Sequence, residues 1–221
     1  MVLGLKKLFK GGSRSPASLS DDVLAALERW RASPAPALDE PHYLTRYVVV
    51  DISTSGPRAA EHELLGISAV AVQGGAVLPD DAFAADIDSS DAAAVDRQLL
   101  AFLDYAAKAP LVTYQSPFAM SFLRRIFGER LGLDFQPQWI DLAWLLPSLF
   151  PEKGISVAPL DDWLERCGID TGAGRRDSMA NTLVLARLFQ KLLVRANGKE
   201  ILAAGKLVEE SHAAGALRQK R

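Results

Sequence analysis

The sequence predicts one α/β domain with a mixed five-stranded sheet and helical extensions at both ends. From residue 46 onward, the predicted elements follow the order β, β, β, α, β, α, β, α. Hairpin connections make the first three strands antiparallel, whereas helical connections make the last two parallel to the first. The 221 residues are 49% hydrophobic and 24% charged, a composition that supports a sizeable buried core.

Residues 1–43 predict a basic tail, one helix and a proline-rich linker. Three lysines lie among the apolar residues of the first ten, and we expect this tail to be mobile, with contact to an anionic membrane surface or a partner as the alternative. Ser20 and the two acids after it predict a capped helix start. Three prolines within residues 33–41 end that helix and lead into the first strand.

The sheet and its helices are predicted within residues 44–195, followed by a helical extension over 196–221. Short apolar or alternating runs indicate the strands, and a Gly74-Gly75 turn joins the second to the third. The predicted strands are 47–51, 65–72, 82–87, 111–114 and 139–141. Apolar residues at helical spacing indicate the helices. The predicted helices are 20–32, 92–107, 117–127, 142–149, 160–167, 177–193 and 199–217.

Composition excludes several classes of protein. The single cysteine, Cys167, is too little for a disulfide framework or a zinc site, and we expect it to be a buried apolar residue. The sequence has neither an apolar run long enough to span a membrane nor a signal peptide, so we expect a cytoplasmic protein without integral membrane association. A net charge of −2 provides no overall positive field, so any nucleic-acid binding must use a local patch.

Three separated segments carry polar residues next to predicted strands or at a predicted helix start. They read Tyr-Val-Val-Val-Asp-Ile-Ser-Thr-Ser-Gly at 47–56, Pro-Leu-Val-Thr-Tyr-Gln-Ser-Pro-Phe-Ala-Met-Ser-Phe-Leu at 110–123, and Arg-Arg-Asp-Ser-Met-Ala-Asn-Thr-Leu-Val-Leu-Ala-Arg-Leu-Phe at 175–189. Their order resembles the proofreading 3′-to-5′ exonucleases of the ribonuclease H-like fold, the DEDDh group that includes the epsilon subunit of DNA polymerase III. The resemblance implies a ribonuclease H-like sheet.

The resemblance also implies a degenerate active site. The family's Asp-x-Glu-Thr-x-Gly, His-Asn-x-x-Phe-Asp and Arg-His-x-Ala-x-x-Asp-Ala motifs supply four metal-binding carboxylates and a histidine base. In this sequence the five positions fall on Asp51, Ser53, Ala119, Arg176 and Asn181. No intact catalytic set remains, and Asp51 is the one metal-ligand position that keeps its carboxylate. We expect no metal there, because two-metal phosphodiester cleavage needs several carboxylates and magnesium favours anionic oxygens.

Two hypotheses concern charge at this position. Arg176 is predicted to form an ion pair with Asp51, because a buried acid without its metals is costly unless it has a partner. Alternatively, another acid rebuilds a metal site that holds magnesium or manganese. The candidate acids are Asp86, Asp88, Asp141 and Asp177.

The same resemblance gives candidate nucleotide-binding residues. They are Thr54, Ser55, Tyr114, Gln115 and Phe118. Phe118, Phe122 and Leu123 are more typical of core residues than of a base-stacking platform, and Asn181 is also compatible with a satisfied buried amide. Several arginines are compatible either with a phosphate-contacting patch or with a solvated helix face. They are Arg124, Arg125, Arg130, Arg175 and Arg176.

Three functions remain open from the sequence. The first is a catalytically degenerate exonuclease-like domain that binds single-stranded nucleic acid, a nucleotide or a protein, and this function needs no cofactor. The second is an active 3′-5′ exonuclease that uses magnesium or manganese with non-standard ligands. The third is a structural module whose terminal helices dock a protein partner or a second copy. Because function depends on the site and not on the fold, fold similarity does not choose among them, and the loss of the metal-binding carboxylates favours the first.

Overall fold

A computed structural model of the chain describes residues 19–172 and 177–219, with side chains through Ala216. The strands are β1 (Tyr47–Thr54), β2 (Leu64–Gln73), β3 (Ala76–Asp86), β4 (Leu111–Thr113) and β5 (Trp139–Asp141). The helices are α1 (Asp21–Ala32), α2 (Ala92–Ala106), α3 (Ser116–Leu131), α4 (Leu142–Leu149), α5 (Leu160–Arg166), α6 (Ser178–Asn197) and α7 (Ala204–Gln219). The sheet order is β3-β2-β1-β4-β5. The β3-β2-β1 pairs are antiparallel and the other two are parallel, which confirms the predicted fold class.

Three local predictions were wrong. Strand β3 begins at Ala76 instead of residue 82, because a register shift opposite Val70 and Ala71 accommodates Pro79 and its neighbours in this edge strand. Ser20 stands at the start of α1, but its side chain makes no capping hydrogen bond. The last helix begins at Ala204 instead of residue 199, because Glu200 has a positive φ of 61° that interrupts helical backbone.

The sheet separates two apolar cores. Tyr47 and Val49 of β1 face one core, which contains residues of α4, α5, α6 and α7. Val48 and Val50 face the other core, which contains residues of α1, α2 and α3. Since side chains alternate along a strand, Asp51 points to the same side as Tyr47 and Val49, where α6 packs.

Both terminal helices pack on the sheet domain. In α1, Leu27 is fully buried, and the Trp30 indole donates a 2.8 Å hydrogen bond to the Ala107 carbonyl. In α7, Leu207 is fully buried, and Ser211 Oγ accepts a hydrogen bond from the Asp141 amide at 2.9 Å. Helices outside the predicted domain boundaries at residues 44 and 195 pack into the same two cores as the helices within them. The boundaries themselves stay a prediction.

Two sequence predictions concern the burial of Cys167 and membrane-spanning segments. Cys167 is buried, as predicted. Within the described ranges, no helix has the length and apolar character needed to cross a membrane.

Candidate functional site

Asp51 and Asn181 meet where β1 approaches its C-terminal end. Asn181 Nδ2 donates a hydrogen bond to Asp51 Oδ2 at 3.0 Å. Burial raises the pKa of Asp51 above its usual range, while the hydrogen bond from Asn181 opposes this shift. The structure therefore brings together two of the five predicted site residues, one a carboxylate and the other an amide.

The start of α6 determines where Asn181 lies. The Asp177 carboxylate accepts a 2.7 Å hydrogen bond from the Ala180 amide and so caps the helix. One turn later, the fully buried Thr182 donates from its hydroxyl to the Ser178 carbonyl at 2.9 Å. These contacts order the first turn of α6, from which the Asn181 side chain reaches Asp51.

Ser53 lies two residues beyond Asp51 and therefore on the same side of the sheet. It pairs with Gly66 of β2, where an added Cβ would lie 2.8 Å from Ser53 Oγ. Because Gly66 carries no side chain, the Ser53 hydroxyl has room to lean over β2. A serine is neutral, so Ser53 contributes no negative charge beside Asp51.

Ala119 lies in the core of α3. It is 2% exposed and belongs to the same apolar cluster as Val50 and Phe122, on the opposite side of the sheet from the core that contains Tyr47. Its methyl group cannot ligate a metal. Arg176 and its predicted ion pair with Asp51 lie outside the described residues.

Asp141, one of the acids proposed to rebuild a metal site, has a structural role instead. Its carboxylate accepts hydrogen bonds from the backbone amides of Gln115, Ser116 and Ala143 and from the Ser116 hydroxyl, at 2.7 to 3.0 Å. Burial raises the pKa of Asp141, and these donors oppose the shift. Asp141 therefore caps the starts of both α3 and α4, a double role that its position at the end of β5 does not reveal in the sequence.

The remaining acids do not assemble a cation site. Asp177 caps α6, and Asp88 accepts a hydrogen bond from the Ser90 amide that lowers its pKa. In the part of the chain that the structure describes, no three His, Cys, Asp or Glu side chains are grouped so that they could hold a metal ion. The donor set around Asp51 thus does not fit a pair of divalent cations.

Most of the candidate nucleotide-binding residues make internal contacts. Thr54 donates from its hydroxyl to the Gly56 carbonyl at 2.9 Å, and Ser55 Oγ accepts from the Glu63 amide at 2.9 Å. Tyr114 donates from its hydroxyl to the Ala158 carbonyl.

Gln115 and Phe118 lie at the entrance to α3. Gln115 is exposed and has a positive φ of 63°, and its amide donates to Asp141. Phe118 is half-buried and packs against the fully buried Phe122, with ring centroids 5.2 Å apart. Leu123 is also fully buried, which agrees with the prediction that this segment is mainly core.

The three described arginines of the predicted phosphate patch are held within the protein. Arg124 pairs with Asp134 at 2.9 Å and Arg130 pairs with Asp96 at 2.8 Å. Arg125 donates to the His62 carbonyl at 2.8 Å, which ties α3 to the loop after β1. Their charges are therefore partly compensated, and they position α3 against its neighbours.

Two histidines that match no family position have structural contacts. The His62 ring packs on Gly56, where an added Cβ would lie only 2.0 Å from it. His42 is buried between the Tyr47 hydroxyl, at 2.6 Å, and the Ile201 carbonyl, at 2.8 Å. Nothing in the local sequence pattern signals either contact, because each depends on how a loop folds against its neighbours.

The fold is similar to several solved exonuclease structures. Cell-death related nuclease 4 has a TM-score of 0.53 at 12% identity, over 69% of this chain and 64% of that one. A full-length 3′-exonuclease has a TM-score of 0.54 at 17% identity, over 69% and 83%. The zinc-bound E. coli exonuclease I in complex with single-stranded DNA has a TM-score of 0.50 at 17% identity, over 69% and 41%.

These likenesses concern the fold. The chain spans less than two thirds of cell-death related nuclease 4 and less than half of exonuclease I. No protein-family model and no curated protein matches the sequence. The structural neighbours are a nuclease and two exonucleases, and their likeness to this chain supports the fold that the sequence predicted.

Proposed function

We propose that this chain is a catalytically degenerate 3′-5′ exonuclease-like domain that binds a ligand at the Asp51 edge of the sheet without hydrolysing it. The hydrogen bond from Asn181 to Asp51 carries the proposal. In a two-metal site, the corresponding groups would be carboxylates that share divalent cations. Here the Asn181 amide N–H points at the carboxylate oxygen and occupies a lone pair that a metal would need.

The charge at the site supports the same conclusion. Magnesium releases its water ligands reluctantly and is usually held by carboxylate oxygens. Ser53 offers a neutral hydroxyl, and Ala119 offers a methyl group within a core. Burial raises the pKa of Asp51, so this one remaining carboxyl holds its proton more readily than an exposed aspartate does.

The ligand classes that fit this edge are a single-stranded nucleic-acid end, a nucleotide or a protein segment. Gln115 and Phe118 remain candidates for direct contact, because the Gln115 side chain is exposed and the Phe118 ring is half-buried. Thr54, Ser55 and Tyr114 would first have to exchange internal hydrogen bonds for contacts with the ligand.

The first experiment tests for hydrolysis. Purified protein is incubated with single-stranded DNA and RNA in magnesium or manganese, and metal binding is measured by calorimetry. We expect no turnover above that of the matched Asp51→Ala control and no stoichiometric metal binding. Turnover that disappears in Asp51→Ala would overturn the proposal in favour of an active exonuclease.

A second variant shows whether lost ligands explain the inactivity. Ser53→Glu, Arg176→His and Asn181→Asp together restore three of the four lost family positions, and Ala119 is left unchanged because it is buried in the core on the other side of the sheet. If this variant folds, it should bind manganese where the parent does not, since residues 51, 53 and 181 then supply three carboxylates. A folded variant that binds no manganese would show that the surrounding structure, and not these side chains, prevents metal binding.

Binding is tested separately with labelled oligonucleotides at several salt concentrations. Arg124, Arg125 and Arg130 already have partners within the protein, so these three side chains have little free charge with which to release counterions. We therefore expect any oligonucleotide affinity to depend only weakly on salt. A steep loss of affinity with salt would indicate a phosphate-binding patch that includes Arg175 and Arg176.

A further inference from the structure

Four large apolar side chains are exposed around the Asp51 edge. Leu65, at the start of β2, is 43% exposed and adjoins the Ser53–Gly66 pair. Met120, on the second turn of α3, is 38% exposed. Ile155 and Val157 are 76% and 37% exposed, in the loop that leads to Ala158 and its contact with Tyr114. We call these four residues the apolar rim.

Exposed acids lie at the same edge of the sheet. They come from the loop after β1, the end of β3, the start of α5 and the cap of α6. They are Glu63, Asp86, Asp88, Asp161 and Asp177. Among nearby described cations, Arg58 is paired with Glu61, and Arg125 donates to the His62 carbonyl. In the sequence, Arg175 and Arg176 precede Asp177 and oppose part of this negative charge.

An apolar rim with acids around it fits a segment that is both apolar and basic. The chain contains such a segment outside the described residues. Its apolar residues are Val2, Leu3, Leu5, Leu8 and Phe9, and its basic ones are Lys6, Lys7, Lys10 and Arg14. The sequence from Met1 to Lys10 contains no acid, so its charge is complementary to that of the edge.

The length and attachment of this segment allow it to reach the rim. Eighteen residues precede Leu19, which packs against the core shared by α1, α2 and α3. A fully extended chain of that length spans at most about 60 Å, more than the diameter of a domain of this size. The reach therefore allows contact without displacing α1.

We propose that residues 1–18 dock on the apolar rim of the same chain. The apolar side chains of the segment contact Leu65, Met120, Ile155 and Val157, and its lysines lie near the surrounding acids. The inference rests on the proposed function, because it assigns an occupant to the edge that binds without cutting.

The test uses the full chain with a nitroxide spin label on Gly12→Cys and methyl-labelled Ile, Leu, Val and Met. Docking should weaken the methyl signals of the apolar rim through paramagnetic relaxation. Val194 and Leu202 are matched controls, since they are 73% and 54% exposed but lie near the end of α6, at the opposite edge. Unmutated protein treated with the same reagent controls for labelling of the buried Cys167.

A second variant separates docking from random collision. Leu5→Asp with Leu8→Asp, in the labelled chain, should restore the rim signals and leave the controls unchanged. Rim signals that stay unweakened, equal weakening at Val194 and Leu202, or weakening that disappears on dilution would each overturn docking within one chain. The spectroscopic readout involves no nuclease step. An active exonuclease in which the methyl signals of the apolar rim are weakened would therefore contradict the proposed function but not the docking.

Discussion

Asp51 and Asp141 occupy similar positions on either side of β4, the first near the end of β1 and the second at the end of β5, yet their surroundings differ. Asp141 is 1% exposed and accepts hydrogen bonds from three backbone amides and one hydroxyl. Asp51 accepts one side-chain hydrogen bond, from Asn181, together with a backbone interaction at Ile52. Burial raises the pKa of both, but Asp141 has several donors that stabilise its charge.

From this difference we expect Asp141 to contribute more than Asp51 to the stability of the fold. Asp141 joins the starts of α3 and α4 to the end of the sheet, so its removal should affect several elements at once. Asp51 joins β1 to one side chain of α6. We therefore expect its contribution to stability to be small.

The largest effect is expected for Asp141→Ala. The substitution leaves two helix starts uncapped and several buried amides without acceptors, which should cost about 3 kcal/mol of the free energy of unfolding. Chemical denaturation measures this loss. Asp177→Ala is the matched control, because it removes one exposed cap and should cost only about 1 kcal/mol. Equal losses would show that the double cap contributes no more than a single one.

Asn181→Asp should give the next largest effect. It places a second carboxylate beside Asp51, where two like charges cannot both ionise freely, and we expect a loss on the order of 2 kcal/mol at neutral pH. Manganese should recover part of that stability by binding both oxygens, so the melting temperature should rise with manganese in this variant and not in the parent. Asn181→Leu is the control, since it removes the hydrogen bond without adding charge. A rise in the parent as well would indicate an intact metal site.

The sequence predicted the order of the strands along the chain and their antiparallel or parallel directions, because alternation, hairpin turns and apolar runs are local signals. The family resemblance carried by three separated motifs predicted that Asp51 and Asn181 belong to one site. The sequence did not predict the double cap at Asp141, because the partners of that carboxylate are backbone amides, which every residue has. Likewise, it did not predict that Arg124 and Arg130 are paired with acids, since each pair joins residues that become neighbours only when α3 packs.

The smallest effect, and the one of opposite sign, is expected for Asp51→Asn. Burial raises the folded-state pKa of Asp51, so the protonated carboxyl stabilises the folded state at pH values below the unfolded-state pKa. This contribution to stability is lost as the pH rises through the folded-state pKa. The variant should therefore match the parent at acidic pH and exceed its stability at neutral pH by roughly 1 kcal/mol. Denaturation at several pH values measures this, with Asp141→Asn as a control that should lose stability instead. A less stable Asp51→Asn at neutral pH would show that a cation compensates this acid, as the sequence predicts for Arg176.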